Sequence, residues 1–437
     1  MTCEIRSVRA FEALDSRGRP TVGCVVRLAS GQHGRAIVPS GASTGQYEAH
    51  ELRDHDDRYD GYGTRRAVRS VNETLAHAVV GMDAEDQHEV DRAMEAADGT
   101  PELSNLGANA VLAVSLAVAV AGGAHGDGQL WRHLAGDAEA LLPTPMVNIF
   151  SGGAHAGRTI DIQDVLVVPL GAESFAEAIE WADRVRRATA QLMDRRGHGV
   201  TLVADEGGLA ANLTTNREGL EIVTDGIAAA GLTPGVDAAL AVDVAANQLW
   251  DGDGYRLAVE DRTLDPSQWL DTLEEWCNAF PIISVEDPFT DDDWTSWGEA
   301  TARIGRDRQL LGDDLFATNA QRLARGVAAG VANAVLVKVN QAGTVSRARD
   351  VLRLAQSHGY ATVVSARSGD TEDTWLADLA VGWGAGQIKV GSTMRSERTA
   401  KWNRLLEIEA LSSRRLRFAG ADALLRPQLA PGRTMLS

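Results

Sequence analysis

The stretch from Asp243 to Lys389 limits what this chain can fold into more than any other. It holds five short apolar runs, each closed by a polar or charged group: Ala-Leu-Ala-Val-Asp243, Ile-Ile-Ser-Val-Glu286-Asp287, Gln-Leu-Leu-Gly-Asp313-Asp314, Ala-Val-Leu-Val-Lys338 and Ala-Thr-Val-Val-Ser365. A sixth, Gln-Ile-Lys389-Val-Gly-Ser392, carries its lysine inside the run. Aliphatic runs of this length, separated by helix-sized segments, are the pattern of buried parallel strands in βα units. When such strands close into a barrel, the groups at their C-terminal ends meet at one mouth. Asp243, Glu286 and Asp313 would there offer hard oxygen ligands, which suit Mg²⁺ better than zinc. For any one acid the alternative is an N-cap of the helix that follows. Three in succession, then a lysine at an apolar strand end, favour a metal site. Lys338, between Val337 and Val339, needs a charged partner or a lowered pKa, and both are useful for proton abstraction.

The flanking sequence fits around this stretch. Met146–Phe150 and Asp161–Val168 read as strands, and Leu202-Val203-Ala204-Asp205-Glu206-Gly207-Gly208 as another that ends in acids. Runs from Met146 to Ser392 number about eight, as a closed (β/α) barrel requires. A helix rich in Ala, Glu and Arg covers Ser174 to Arg196. His155 sits in the glycine loop Ser151–Arg158, where a surface histidine is the plainer reading. Upstream, residues 1 to about 30 alternate as a hairpin around the turn Asp15–Pro20. The small, hydroxylated run Val38–Glu48 predicts a mobile loop, or else a plain connector. Gly63 to about Ala135 is helical in pattern. The predicted fold class is therefore α/β: a barrel over residues 139–437, preceded by an α+β domain over 1–138, with the boundary near Asp137–Pro143. The basic cluster Ser412–Arg417 reads as a solvated surface.

Composition narrows the function. The formal charge of −19 excludes non-specific binding to nucleic acid or anionic membranes. It leaves room for a small anionic substrate, because local cations decide the field in a pocket. Three cysteines without paired spacing support neither a disulfide framework nor a zinc motif. The N-terminus lacks the apolar core of a signal peptide. Gly107–Ala124 is apolar enough to resemble a membrane span, yet its alanines, Asn109 and Ser115 favour a helix buried in protein. These features predict a reducing, cytoplasmic setting.

The motifs together resemble the enolase family. They are Ser40-Gly41-Ala42-Ser43-Thr44-Gly45, Asp205-Glu206-Gly207-Gly208, Ser284-Val285-Glu286-Asp287, Gly312-Asp313-Asp314-Leu315, Leu336 to Gln341, Ser365 to Thr371, and Ile388 to Ser392. The likeness starts at Asp15-Ser16-Arg17-Gly18 and runs through the last barrel strand. It implies an N-terminal domain capping a barrel with an antiparallel start, a homodimer or higher oligomer, and two Mg²⁺ ions per site. By the same resemblance, Asp243, Glu286 and Asp313 would hold the first metal, and Ser40 would help hold the second. Lys338 would remove the proton α to a carboxylate, and Glu206 would protonate the departing hydroxyl, with His155 on the same side. Arg367 and Ser368 would grip a phosphate, Lys389 a carboxylate, and Gln163, Asp164 and Arg158 would line the substrate pocket. The implied reaction is dehydration of 2-phosphoglycerate or a close analogue to a phosphoenolpyruvate-type product.

Three positions depart from the family pattern. Ala366 stands where the pattern His-Arg-Ser has histidine, Asp164 where Gln-Glu-Phe has the longer acid, and Arg158 where a neutral residue is usual. In the family, the first two lie on the side from which the hydroxyl leaves. The alternative they raise is a specialised synthase, similar to the enolase relatives of phosphonate antibiotic pathways that make carboxyphosphonoenolpyruvate. Room at Ala366 and the charge at Arg158 suit a larger, more anionic ligand. Enolase relatives also serve as lens or surface-binding proteins, but such a role needs neither three intact metal ligands nor Lys338.

Overall fold

The computed structural model describes residues 2–41, 45–126, 128–412 and 416–424. The first part of the chain makes a three-stranded antiparallel sheet, Ile5–Leu14, Pro20–Leu28 and His33–Ile37, in sequential order. The first two strands form the hairpin read from the sequence; the third was not foreseen, since His33, Gly34 and Arg35 carry little apolar signal. Asp15 builds the hairpin turn by accepting the backbone N–H groups of Arg17 and Arg19 at 2.8 and 2.9 Å. Gly18 supplies the positive φ of 73° that the turn needs.

Helix Ala108–His125 packs on this sheet. It is the one helix among the described residues long and apolar enough to cross a membrane, and 83% of it is buried inside the protein. Its alanines let strand and helix approach closely. A Cβ added to Gly34 would lie 2.1 Å from the Ala117 carbonyl oxygen. The alanine-rich composition therefore reflects packing on two sides, without a polar face.

The remainder is a closed barrel of eight strands. Thr144–Ser151 pairs antiparallel with Asp164–Val168, which pairs antiparallel with Ala239–Asp243. Ile282–Glu286, Gln309–Gly312, Ala334–Val337, Ala361–Ser365 and Gly386–Gly391 continue in parallel, and the last closes on Thr144–Ser151. The antiparallel start is thus present. Met146, Leu166, Ala241, Leu311, Leu336 and Val363 pack together inside the barrel, so it is a filled core with no pore.

One strand assignment is wrong. Leu202–Gly208 is a loop of turns, and Leu202 is 85% exposed. Its apolar residues have no neighbouring strand to pair with, because the eight others already close the ring. The helix Leu130–Ala135 ends just before the barrel's first strand begins at Thr144. Of the loop Val38–Glu48, residues 42–44 lie outside the described residues, as do 413–415 of the basic cluster.

Candidate active site

Strand register decides which side chains meet. Asp164 is paired with Asp243 across one ladder, Glu286 with Asp243 across the next, and Ser365 with Lys389. Asp313 follows directly after the strand that ends at Gly312, and Lys338 directly after the one that ends at Val337. None of the three strand-end acids caps a helix. That work falls to Asp293 for helix Trp294–Arg303 and to Asn319 for Ala320–Ala329. The carboxylates are therefore left to one another and to the mouth.

They form two groups. In the first, Lys389 Nζ lies 2.7 Å from Asp243 and 2.7 Å from Glu286, while Lys338 Nζ bonds Asp313. Asp243, Glu286 and Asp313 are 2%, 2% and 7% exposed, so these are buried charges that need partners. Burial and the nearby Asp243 push Glu286 well above the ordinary carboxylate range. Burial also acts on Asp243, but Lys389 outweighs it and draws that carboxyl down. Both lysines are held above their ordinary values: burial opposes their charge, and Asp313 for Lys338, with Asp243 and Glu286 for Lys389, more than restores it.

In the second group, His155 Nδ1 lies 2.8 Å from Asp164, and His155 Nε2 lies 4.0 Å from Glu206. Asp164 also accepts hydrogen bonds from Asn148 Nδ2 and, at 2.8 Å, from Ser151 Oγ. The shortened acid is therefore fully engaged. Burial works against a charged His155 ring, but Asp164, Glu206 and Asp243 hold its pKa up at about 9. Glu206 arrives on the glycine loop instead of a strand. Gly207 there has a φ of 84°, and the Glu206 carbonyl accepts the Ser392 N–H at 2.8 Å. Gln163 Nε2 reaches across to Asp243 at 3.0 Å and so joins the two groups.

The small domain closes the mouth from above. Arg367 is 6% exposed and donates to Glu48 at 3.0 Å and to Asn340 at 3.1 Å. Arg17 bonds the carbonyl oxygens of Ser40 and Gly41 at 3.0 Å each, and Ser368 Oγ at 3.4 Å. Ser40 itself is bonded by Arg53 at 2.9 Å and donates to Glu51 at 3.1 Å. Its hydroxyl thus faces small-domain partners and makes no hydrogen bond to the strand-end acids. Arg158 is exposed, with a φ of 60°, at the end of the loop that carries His155.

Several residues of the site were not singled out from the sequence. Asp287, with φ 40°, accepts the backbone N–H groups of Asp313 and Asp314 at 2.9 and 2.8 Å and so fixes that turn. Gln341 Nε2 donates to Asp313 at 3.1 Å. Glu48 occupies the Arg367 guanidinium. Asp287, Gln341 and Glu48 all stood inside quoted stretches, but only the folded chain shows what they touch.

Donor atoms of Asp287, Asp313 and Asp314 lie within 4.8 Å of one another, as do those of His155, Asp164 and Glu206. The trio Asp243, Glu286 and Asp313 is instead held by two lysines, Lys389 on the first two and Lys338 on the third. Its chemistry nevertheless fits a divalent cation. It offers hard oxygens on adjoining strands, and the crowding that raises Glu286 is relieved by added positive charge.

The structure is a closed barrel with an antiparallel start, capped by an α+β domain and carrying buried acids and lysines at its mouth. A family model described as the enolase N-terminal domain matches residues 5–134, and one described as the enolase C-terminal TIM barrel domain matches residues 139–426. The chain belongs to the enolase family and is an enolase-superfamily lyase.

Proposed function

We propose that this lyase removes the proton α to a carboxylate and eliminates hydroxide from 2-phosphoglycerate or a close analogue, in a Mg²⁺-dependent reaction. The observation that carries this reading is the division of the mouth into two groups. One pairs lysines with strand-end acids; the other pairs Glu206 with a charged histidine.

Lys338 is the base. Its Nζ takes the proton from C2, and the electron pair left behind becomes the C2–C3 double bond. Hydroxide leaves C3 with a proton from Glu206, and His155, charged at neutral pH, faces that carboxyl as a neighbouring proton source. Arg367 and Ser368 receive the phosphate, and Lys389 the carboxylate. Asp243, Glu286 and Asp313, with Ser40 for a second ion, would hold Mg²⁺, whose charge would stabilise the substrate carboxylate as it becomes dianionic. A cation held by Asp313 would take away the partner that keeps Lys338 charged and so would favour the neutral lysine that a base must be.

A second reading is favoured by Ala366. It is buried, and its side chain offers no proton where the family pattern places histidine. A cavity of about 470 Å³ is lined by His155, Leu202 and Ala204. A specialised synthase acting on a larger phosphate- or phosphonate-bearing acid accounts for both features. In either reading the protein works as a cytoplasmic homodimer. The exposed Phe11 and Leu14 on an edge strand support self-association, which light scattering in solution tests.

Phosphorus NMR on protein with 2-phosphoglycerate and Mg²⁺ separates the readings. Complete conversion to phosphoenolpyruvate at ordinary turnover supports the dehydratase. Deuterium exchange at C2 in D₂O with little elimination rejects it in favour of the synthase.

A further inference from the structure

We propose that Cys3, Glu85 and His125 form a second metal site, on the outer side of the small domain, for a thiophilic divalent cation such as Zn²⁺. One donor atom from each lies within 4.8 Å of the other two. The three come from separate pieces of chain: the residues ahead of strand Ile5–Leu14, the loop ahead of helix Gln87–Asp98, and the last residue of helix Ala108–His125. The fold thus gathers donors that no local sequence spacing would bring together.

The surroundings hold the set in place. The Ala84 N–H donates to the Cys3 carbonyl at 2.9 Å, and Glu4 bridges to Asp83, so the cysteine and the Glu85 loop are tied together. The His125 ring is anchored by Ser30 Oγ, 3.2 Å from Nδ1, a partner of the kind that orients a metal-binding imidazole. Cys3 is 6% exposed, whereas Glu85 is exposed, which leaves an entry path from solvent. Burial, with Glu85 and Asp83, pushes the free thiol up to about 11. The same carboxylates attract a cation, and the thiol proton is released to solvent as the sulfur–metal bond forms.

Sulfur, imidazole and carboxylate differ in kind from the all-oxygen set at the barrel mouth. They select zinc or cobalt over magnesium. Three protein ligands leave a fourth position for water. A bound ion would tie the start of the chain to the end of the core helix, so it would stabilise the small domain without entering the lyase chemistry.

Cobalt reports on this site directly. Co²⁺ is titrated into full-length, chelator-stripped protein held in excess Mg²⁺, and the near-ultraviolet thiolate-to-cobalt charge-transfer band is followed. The expected result is a band that saturates at a single ion per chain and is lost in Cys3→Ser. Affinity should fall in His125→Ala and Glu85→Gln by at least the roughly 10-fold that loss of a mere outer partner of a ligand costs, while Cys277→Ser behaves as wild type. Cobalt uptake without the band, or with the same band and affinity in the variants, overturns the proposal. Should Cys3→Ser fail to fold, Glu85→Gln decides, because that side chain is exposed: unchanged affinity refutes the site.

Discussion

The two halves of the barrel mouth are built differently. The half around Lys338 and Lys389 stands on strand ends, where register fixes each side chain and each charge has an opposite partner. In the half around His155 and Glu206, those two residues stand on glycine loops; Asp164 bonds His155 from a strand, and Arg158 ends the loop that carries His155. Strand ends tolerate little change, because shifting one residue disturbs a ladder on each side. Loops can be altered without touching the barrel. On the proposed reaction, proton abstraction would be the fixed part of this enzyme, and the fate of the resulting carbanion the adjustable part.

Removing the proposed base gives the sharpest contrast. Lys338→Ala should lower turnover by about 10⁴-fold, the upper range for a positioned acid or base, with the circular dichroism spectrum and fold retained. If the loss is small, the strand-end half is not the proton-abstracting half. Restoring histidine at Ala366 probes the other side. We expect elimination relative to C2 exchange to rise by about 10²-fold, read by NMR, with the exchange rate unchanged. An unaltered product ratio would mean that the loop half does not set the outcome.

Glu48 offers a gentler test of how the small domain engages the mouth. Glu48→Gln weakens the carboxylate that occupies Arg367. Inorganic phosphate should then inhibit about tenfold more tightly, a change comparable to one charged hydrogen bond. A stability test concerns His155 in metal-free protein. Its folded pKa of about 9 lies above the ordinary 6.5, so it contributes stability that is fully present below pH 6.5 and is lost as pH rises through 9. Denaturant unfolding should show the gap between wild type and His155→Gln shrinking across that window by about 3 kcal/mol, at roughly 1.36 kcal/mol per pKa unit.

Much of this was legible in the sequence, for a physical reason. A buried strand needs an unbroken aliphatic run, so a polar residue at its end stands out, and Asp243, Glu286, Asp313 and Lys338 were visible that way. The same logic failed at Leu202–Gly208. An apolar run before acids looks alike whether or not a neighbouring strand exists to pair with it, and pairing is a property of the whole barrel. Strand His33–Ile37 was missed for the converse reason: its place beside Pro20–Leu28 is set by pairing and by the helix over Gly34, with little apolar pattern of its own. The Glu48–Arg367 contact was beyond reach, because it joins residues 319 positions apart. The division of the strand-end acids between two lysines likewise appears only once the strands are in register.

The central claim is that the strand-end half alone performs proton abstraction. We would incubate the protein with 2-phosphoglycerate and Mg²⁺ in D₂O and follow deuterium entering C2 by proton NMR, in wild type and in Lys338→Ala. The account predicts Mg²⁺-dependent exchange in wild type and none in the variant, whatever the yield of elimination. Exchange that persists in Lys338→Ala, or its absence from wild type, would contradict it.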